Sequence, residues 1–286
     1  MTEHALYRYT SIGRPLEPAV PSNKAVLILL PLAFIGGAAA GFAGLEQGAL
    51  NALRLGGISL LAAFGCWALG RELLPDDPIA AFVAMALGFL VSLASDAPGL
   101  LTLFTTLFLA RIVNRTTGLK ARVPDSLMVT GLVIWTVYAT ASPWFGAVGA
   151  LAFLLDASLR RPLKRQLLYA LLCAGSMVVY IVDYDVNWLT VITPGSLIQW
   201  LGVFALVLFS LNLVLMRKVH SRDDVHGERL PVERVKGAMV IGLLAALQGL
   251  DTMPDVVLLV ATIGGLCLGI AFRRAFRSSA KGLRAA

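Results

Sequence analysis

Nine long apolar blocks dominate the chain, at residues 25–45, 55–70, 79–95, 99–113, 126–155, 166–182, 195–216, 237–250 and 256–272, each ended by charge or by turn residues. They lack the one-sided apolar stripe of a surface helix and are hydrophobic on every face. A helix needs roughly 17–25 such residues to cross a hydrocarbon core. Only 14% of the 286 residues are charged and 58% are hydrophobic, whereas a water-soluble domain uses about 25% charged residues. A water-soluble globular fold is excluded. The expected fold class is all-α, a polytopic transmembrane helical bundle.

The block 126–155 is too long for one span, since at about 1.5 Å per residue it would measure roughly 45 Å against a core of ~30 Å. Ser142-Pro143 at its centre reads as a helix start, with Ser as N-cap and Pro at the first helical position. Splitting the block there, into 126–141 and 143–155, gives ten short spans arranged as five helical hairpins. The expected organisation is a cytoplasmic N-terminal tail over 1–23, a bundle over 24–272 with a cytoplasmic loop at 217–236, and a basic cytoplasmic tail over 273–286. The N-terminal stretch is polar and carries Pro15, Pro18 and Pro21 before Lys24. It therefore reads as a flexible or surface-lying tail, and the first block as a retained span, not a cleaved signal.

Charge sets the orientation, because Lys and Arg collect in cytoplasmic loops close to span ends. With both termini inside, 23 of the 24 basic residues fall on the inner side and only Arg54 falls outside. The outer loops carry Glu46, Asp96, Asp183, Asp185, Asp251 and Asp255. This implies a multi-pass protein of the cell inner (cytoplasmic) membrane. Tyr138, Trp144, Tyr180, Tyr184 and Trp188 fall near outer ends, where amphipathic rings favour the headgroup level. Trp67 falls at an inner end, and Trp135 and Trp200 read as packing between helices.

Three outer turns resemble one another, SDAPG at 95–99, TASPW at 140–144 and DTMPD at 251–255, as a repeated hairpin would produce. Small residues four apart in GGAAAGFAG at 36–44 and GGLCLG at 264–269 let helix backbones approach closely, and could also join two copies of the chain. Cys66, Cys173 and Cys267 all sit inside apolar blocks and read as small hydrophobes.

Charged residues within spans mark function by default, and the middles of these spans hold almost none. Their polar residues are Gln199, Ser210, Asn212 and Gln248, which read as interhelical hydrogen-bonding groups. Polar residues gather instead at the inner face. The candidate substrate-binding residues are Arg71, Glu72, Asp76, Asp77, Arg111, Asn114, Arg115, Asp125 and Asp156. Arg111 and Arg115 share a helical face at i, i+4 spacing, so their guanidinium groups could grip a phosphate or carboxylate bidentately. The acids could then hold Mg²⁺ through substrate phosphates.

Each candidate also has a purely structural reading. Asp77-Pro78 and Asp125-Ser126 resemble helix N-caps, Asp156 and Arg160 make an i, i+4 pair, and arginines at span ends snorkel. In the loop 217–236, His220, Asp223, Asp224 and His226 match no metal-ligand spacing and read as a solvated mixed-charge loop. No phosphate loop, HExxH, GxSxG or paired CxxC is present, so no cofactor or metal is expected and catalytic residues are not assigned.

The reading placed first is a carrier or permease for a small or lipid-like solute. The second is a membrane-embedded enzyme acting on a lipid-linked or phosphorylated substrate at the cytoplasmic face, and the third a non-catalytic scaffold subunit. The expected partners are membrane lipids and a small-molecule or lipid substrate, without nucleic acid.

Overall fold

The computed structural model describes residues 5–43, 48–95, 99–185, 195–248 and 253–282, with the side chains of Ala5, Met253, Pro254 and 276–282 left aside. Glu46, Asp96, Trp188, Asp251 and parts of the outer turns at 95–99 and 251–255 lie outside the described residues. Among the described residues, a short 3₁₀ helix, Ala5–Arg8, precedes ten α-helices. These are α1 (Pro21–Ala43), α2 (Ala49–Leu73), α3 (Pro78–Ala94), α4 (Leu100–Asn114), α5 (Val123–Ala139), α6 (Trp144–Ser158), α7 (Gln166–Tyr184), α8 (Leu197–Leu215), α9 (Val232–Leu247) and α10 (Met253–Gly282). The described chain is all-α, with no strand beyond a single bridge between Arg222 and Arg229.

Each apolar block became a helix, and the block 126–155 became two. The break falls where the sequence placed it, although Pro143 itself occupies the N-cap and Trp144 the first helical position. Ala141, just before it, adopts a left-handed φ of 52° that turns the chain back.

Among the described residues, five segments are long and apolar enough to cross a membrane: α1, α2, α7, α8 and Asp255–Ala275 of α10. The exterior is correspondingly apolar. Leu197, Ile198, Leu201, Phe204, Val207 and Leu211 all lie exposed along α8, a patch that water would not tolerate on a soluble monomer. Trp135 (62% exposed) and Trp200 (57%) also face outward. They do not pack between helices, because the interior of their helices is filled by smaller residues such as Val133, Val137 and Gly202.

Burial divides the helices into two groups. Only four of the 23 residues of α1 and three of the 19 of α8 are buried. In α4, ten of 15 are buried. The short helices α4, α6 and α9 are therefore central, the long α2 and α10 are about half buried, and α1, α7 and α8 form the outside. The packing also departs from five hairpins. α1 packs along α2, but α3 lies against α2 and α10, while α4 lies against α9, α2 and α6. Consecutive helices such as α3 and α4, or α7 and α8, are not principal partners.

The small-residue stretches work within the chain. A Cβ on Gly37 would stand 2.7 Å from the Leu55 carbonyl oxygen of α2, and one on Gly269 2.4 Å from the Ala80 Cα of α3. Gly99, which caps α4 with a φ of 70°, lies so close to the Asp255 backbone that any side chain would collide.

Alternation of the helices produces two ends. At one end, Trp144 Nε1 donates to the Leu244 carbonyl (2.7 Å), Asn51 Nδ2 to the Gly41 carbonyl (3.0 Å), and Tyr180 stacks on Tyr184. At the other end lie the N-terminal segment, the α2–α3, α4–α5, α6–α7 and α8–α9 connections, and the Arg273 end of α10, joined by the polar contacts described next. Between the ends the polar groups are hydroxyls. Thr105 pairs with Thr136 (2.7 Å) and Ser92 with Ser59 (3.0 Å), and several threonines bond the carbonyl four residues back in their own helix.

Candidate functional site at the basic end of the bundle

The nine sequence-selected residues all lie at this end, but in several groups and not in one pocket. Two groups form around fully buried carboxylates. Glu72, in the last turn of α2, is met by Arg111 Nε of α4 (3.2 Å), Arg14 Nη1 (3.4 Å) and Thr116 Oγ1 (3.2 Å). Asn114 Nδ2 donates to the Glu72 carbonyl at 2.9 Å. Asp156, near the end of α6, is met by Arg115 Nη2 (2.7 Å), Arg234 Nη1 (2.8 Å) and Gln166 Nε2 (3.1 Å).

Arg111 and Arg115 therefore serve different centres despite their i, i+4 spacing. α4 ends at Asn114, and Arg115 takes the left-handed C-cap conformation (φ 51°). This swings its side chain from the helical face toward α6. The expected Asp156–Arg160 pair does not form. Arg160 instead contributes its carbonyl to Arg234 (3.0 and 2.7 Å), because the first turn of α9 delivers Arg234 into the space beside Asp156.

Asp77 is the N-cap of α3, accepting from Ala80 N–H at 3.3 Å, and pairs with Arg273 at 3.1 Å. Asp76 accepts from the backbone N–H groups of His220 and Ser221 (2.8 and 2.7 Å) and from Ser221 Oγ (2.7 Å), tying the α2–α3 turn to the α8–α9 loop. Burial raises its pKa, but the hydrogen bonds from Ser221 and His220 outweigh this and hold it below the ordinary carboxylate value. Asp125 is not an N-cap. Arg122 holds that position, and Asp125, in the first turn of α5, accepts from Thr10 Oγ1 (2.8 Å) and Ser11 N–H (2.7 Å).

Asp125 thus anchors the N-terminal segment, which departs from the flexible or surface-lying tail expected from its prolines and polar residues. Ser11 and Ile12 are buried. Thr117 Oγ1 donates to the Ser11 carbonyl (2.6 Å) and Arg111 Nη1 to the Ile12 carbonyl (3.0 Å). Arg14 holds Asp224 through two bonds of 2.7 Å besides its contact with Glu72. Burial acts against the Arg14 charge, but Glu72 and Asp224 prevail, so its pKa lies above the usual value. Burial, reinforced by Asp224, pushes the Tyr7 hydroxyl up to about 12, so it stays protonated.

Arg14, Arg234 and Thr116 were not selected at the level of sequence, and Asp224 was read only as part of a solvated mixed-charge loop. Arg234 left one trace: a cation in the first turn of a helix opposes the helix dipole and needs a nearby anion. The α8–α9 loop is only partly solvated, since the backbone N–H groups of Asp224 and Val225 bond the carbonyls of Thr116 and Thr117. His220 lies beside Asp76 and His226 beside Asp223. Among the described residues no three metal-ligating side chains converge.

A cleft of about 390 Å³ opens beside the Glu72 centre. Its polar wall includes Arg14, Arg71, Arg111 and Asp224, and its apolar wall Val20, Phe64, Trp67 and Leu230. Arg71 is the distinctive member. Its side chain donates only to the Pro75 carbonyl (3.3 Å) and has no carboxylate in ion-pair reach among the described residues. Phe64 and Arg71 are seven residues apart on α2, so the cleft follows the helix for roughly 10 Å from its charged end into the apolar bundle. Trp67, on the same wall, is 5% exposed, and its indole N–H has no protein partner among the described residues. No protein-family model, no curated protein and no solved structure matches this chain.

Proposed function

We propose that this chain is a ten-span protein of the cell inner membrane, with both termini cytoplasmic, that binds the anionic head of a lipid-like ligand in the cleft beside Glu72. The charge asymmetry between the two ends supports the orientation. Burial supports the span count. Helices of 15 to 17 residues would be short for a bilayer if they faced lipid, but α4 and α6 face mainly other helices. They can therefore be shorter than the hydrocarbon core without exposing polar backbone to it.

The observation that carries the ligand reading is Arg71. Arg71 is half-buried at the edge of the cleft without a carboxylate in ion-pair reach among the described residues, and withdrawing a cation from water costs free energy that an anion would offset. A phosphate or carboxylate would supply that anion, bound bidentately. Phe64, Trp67 and Val20 would cover the apolar part of the ligand. The carrier reading needs a polar path onward to Asp183 and the other acids of the far end. The mid-bundle polar groups that are described bond one another or their own helices instead. That favours a site used from the cytoplasmic face.

The test is binding of lysophosphatidate, against monoacylglycerol of the same chain length, to the detergent-purified protein. Arg71 makes a single hydrogen bond, so Arg71→Ala should fold normally. The expected result is binding of the phosphate-bearing ligand only, weakened at least tenfold by Arg71→Ala. Equal binding of both ligands, or an Arg71→Ala variant with unchanged affinity, contradicts the reading.

A further inference from the structure

A second and larger cavity, of about 900 Å³, lies on the other side of the α4 terminus, between the α4–α5, α6–α7 and α8–α9 connections. Six cationic side chains border it: Arg115, Lys120, Arg160, Arg161, Arg229 and Arg234. The opposing carboxylates are fewer and already engaged. Asp156 beneath the floor is shared by Arg115 and Arg234, Glu228 is taken by Arg161 (3.0 Å), and Asp223 accepts from the backbone N–H groups of His226 (2.6 Å) and Gly227 (2.9 Å).

Lys120, Arg160 and Arg229 lie exposed, and none has a carboxylate in ion-pair reach among the described residues. Arg115 (8% exposed) and Arg234 (3% exposed) border the same cavity, so two further guanidinium groups stand at its base besides the exposed cations.

We infer that this cavity is a second anion site, distinct from the cleft at Arg71, for a ligand carrying at least two phosphate charges. The guanidinium groups match phosphate oxygens geometrically, and Lys120 adds a mobile point charge. The surplus of three cations over carboxylates calls for a multiply charged ligand, not a single carboxylate. The phosphates could belong to a soluble polyphosphate compound or to the headgroup of an anionic lipid at the membrane surface, since both present the same oxygens. The inference does not depend on the ligand proposed for the first cleft.

The experiment uses the full chain and two probes. Inorganic pyrophosphate is titrated calorimetrically into the detergent-purified protein, and thermal stability is compared in phosphatidylcholine nanodiscs with and without phosphatidate. The variants are Lys120→Ala/Arg160→Ala/Arg229→Ala, all at exposed positions, and Arg71→Ala as the control for the first cleft. Pyrophosphate binding that persists in Arg71→Ala and falls at least tenfold when the triple substitution is added to that variant supports the site with a soluble ligand. Stabilisation by phosphatidate alone, with the same dependence on the two variants, supports it with a lipid headgroup. Should the triple variant fail to fold, Arg229→Ala alone carries the test, with a loss of about threefold expected. The inference is overturned if the wild-type chain responds to neither probe, if the substituted chain responds as the wild type does, or if only Arg71→Ala loses binding.

Discussion

The two ends of the bundle are held together by different physics. At the end carrying Trp144 and the Tyr180–Tyr184 stack, cohesion comes from neutral hydrogen bonds, aromatic contacts and a close glycine approach at Gly99. At the basic end it comes from two buried carboxylates, each gripped by two arginines, and from an N-terminal segment threaded among them. The polar end is the costlier one to build, because every charge removed from water must be matched. Under the proposed function, the cations left without carboxylates at this end would recognise a ligand, so that structure and recognition would share one face. The rest of the bundle is held by apolar packing and neutral hydrogen bonds.

Removing a partner sharpens this contrast. The largest effect is expected for Asp156→Ala, which strands Arg115 and Arg234 in a buried site and should destabilise the protein by about 3–5 kcal/mol. Thermal unfolding in detergent and the yield of monodisperse protein would report it. Glu72→Gln should cost less, about 2–3 kcal/mol, since Arg14 keeps Asp224 and Arg111 keeps the Ile12 carbonyl. It should also loosen the N-terminal segment, read as faster proteolysis before Pro15 with the bundle still folded.

Away from the basic end the expected costs shrink. Thr105→Val, which breaks a mid-bundle hydroxyl pair, should cost about 0.6 kcal/mol. A loss as large as that of Asp156→Ala would dissolve the contrast.

The smallest effect concerns Asp76. Its carboxyl titrates below the ordinary value when folded, so its stabilising contribution is complete above roughly pH 4 and is lost as pH falls through the lower, folded value. The stability difference between wild type and Asp76→Asn should therefore be constant near neutrality and close only in acid.

The helices were legible in the sequence because hydrophobic blocks and turn residues are local signals. The break at Pro143 is the clearest instance. The Asp77 cap was legible for the same reason, since Asp-Pro before an apolar run is sufficient. What escaped was long-range. Arg14 meets Glu72 across 58 positions and Asp224 across 210, and no local pattern encodes either pairing. The separation of Arg111 from Arg115 escaped for a subtler reason. Helical spacing applies only while the helix continues, and it stops between them. Trp135 and Trp200 were misplaced because depth along a helix does not fix the face from which a side chain projects.

The common premise of the orientation and of both sites is that Lys and Arg collect on one surface of the membrane. Single cysteines at Lys164, in the α6–α7 connection, and at Asp185, at the opposite end of α7, can be probed with an impermeant maleimide in intact cells and after permeabilisation. The three native cysteines are buried and should contribute little background. Labelling of the Asp185→Cys chain in intact cells, with Lys164→Cys reacting only after permeabilisation, is the expected result. Both positions reacting from the same side, or the reverse order, would contradict the topology and remove the cytoplasmic setting of both sites.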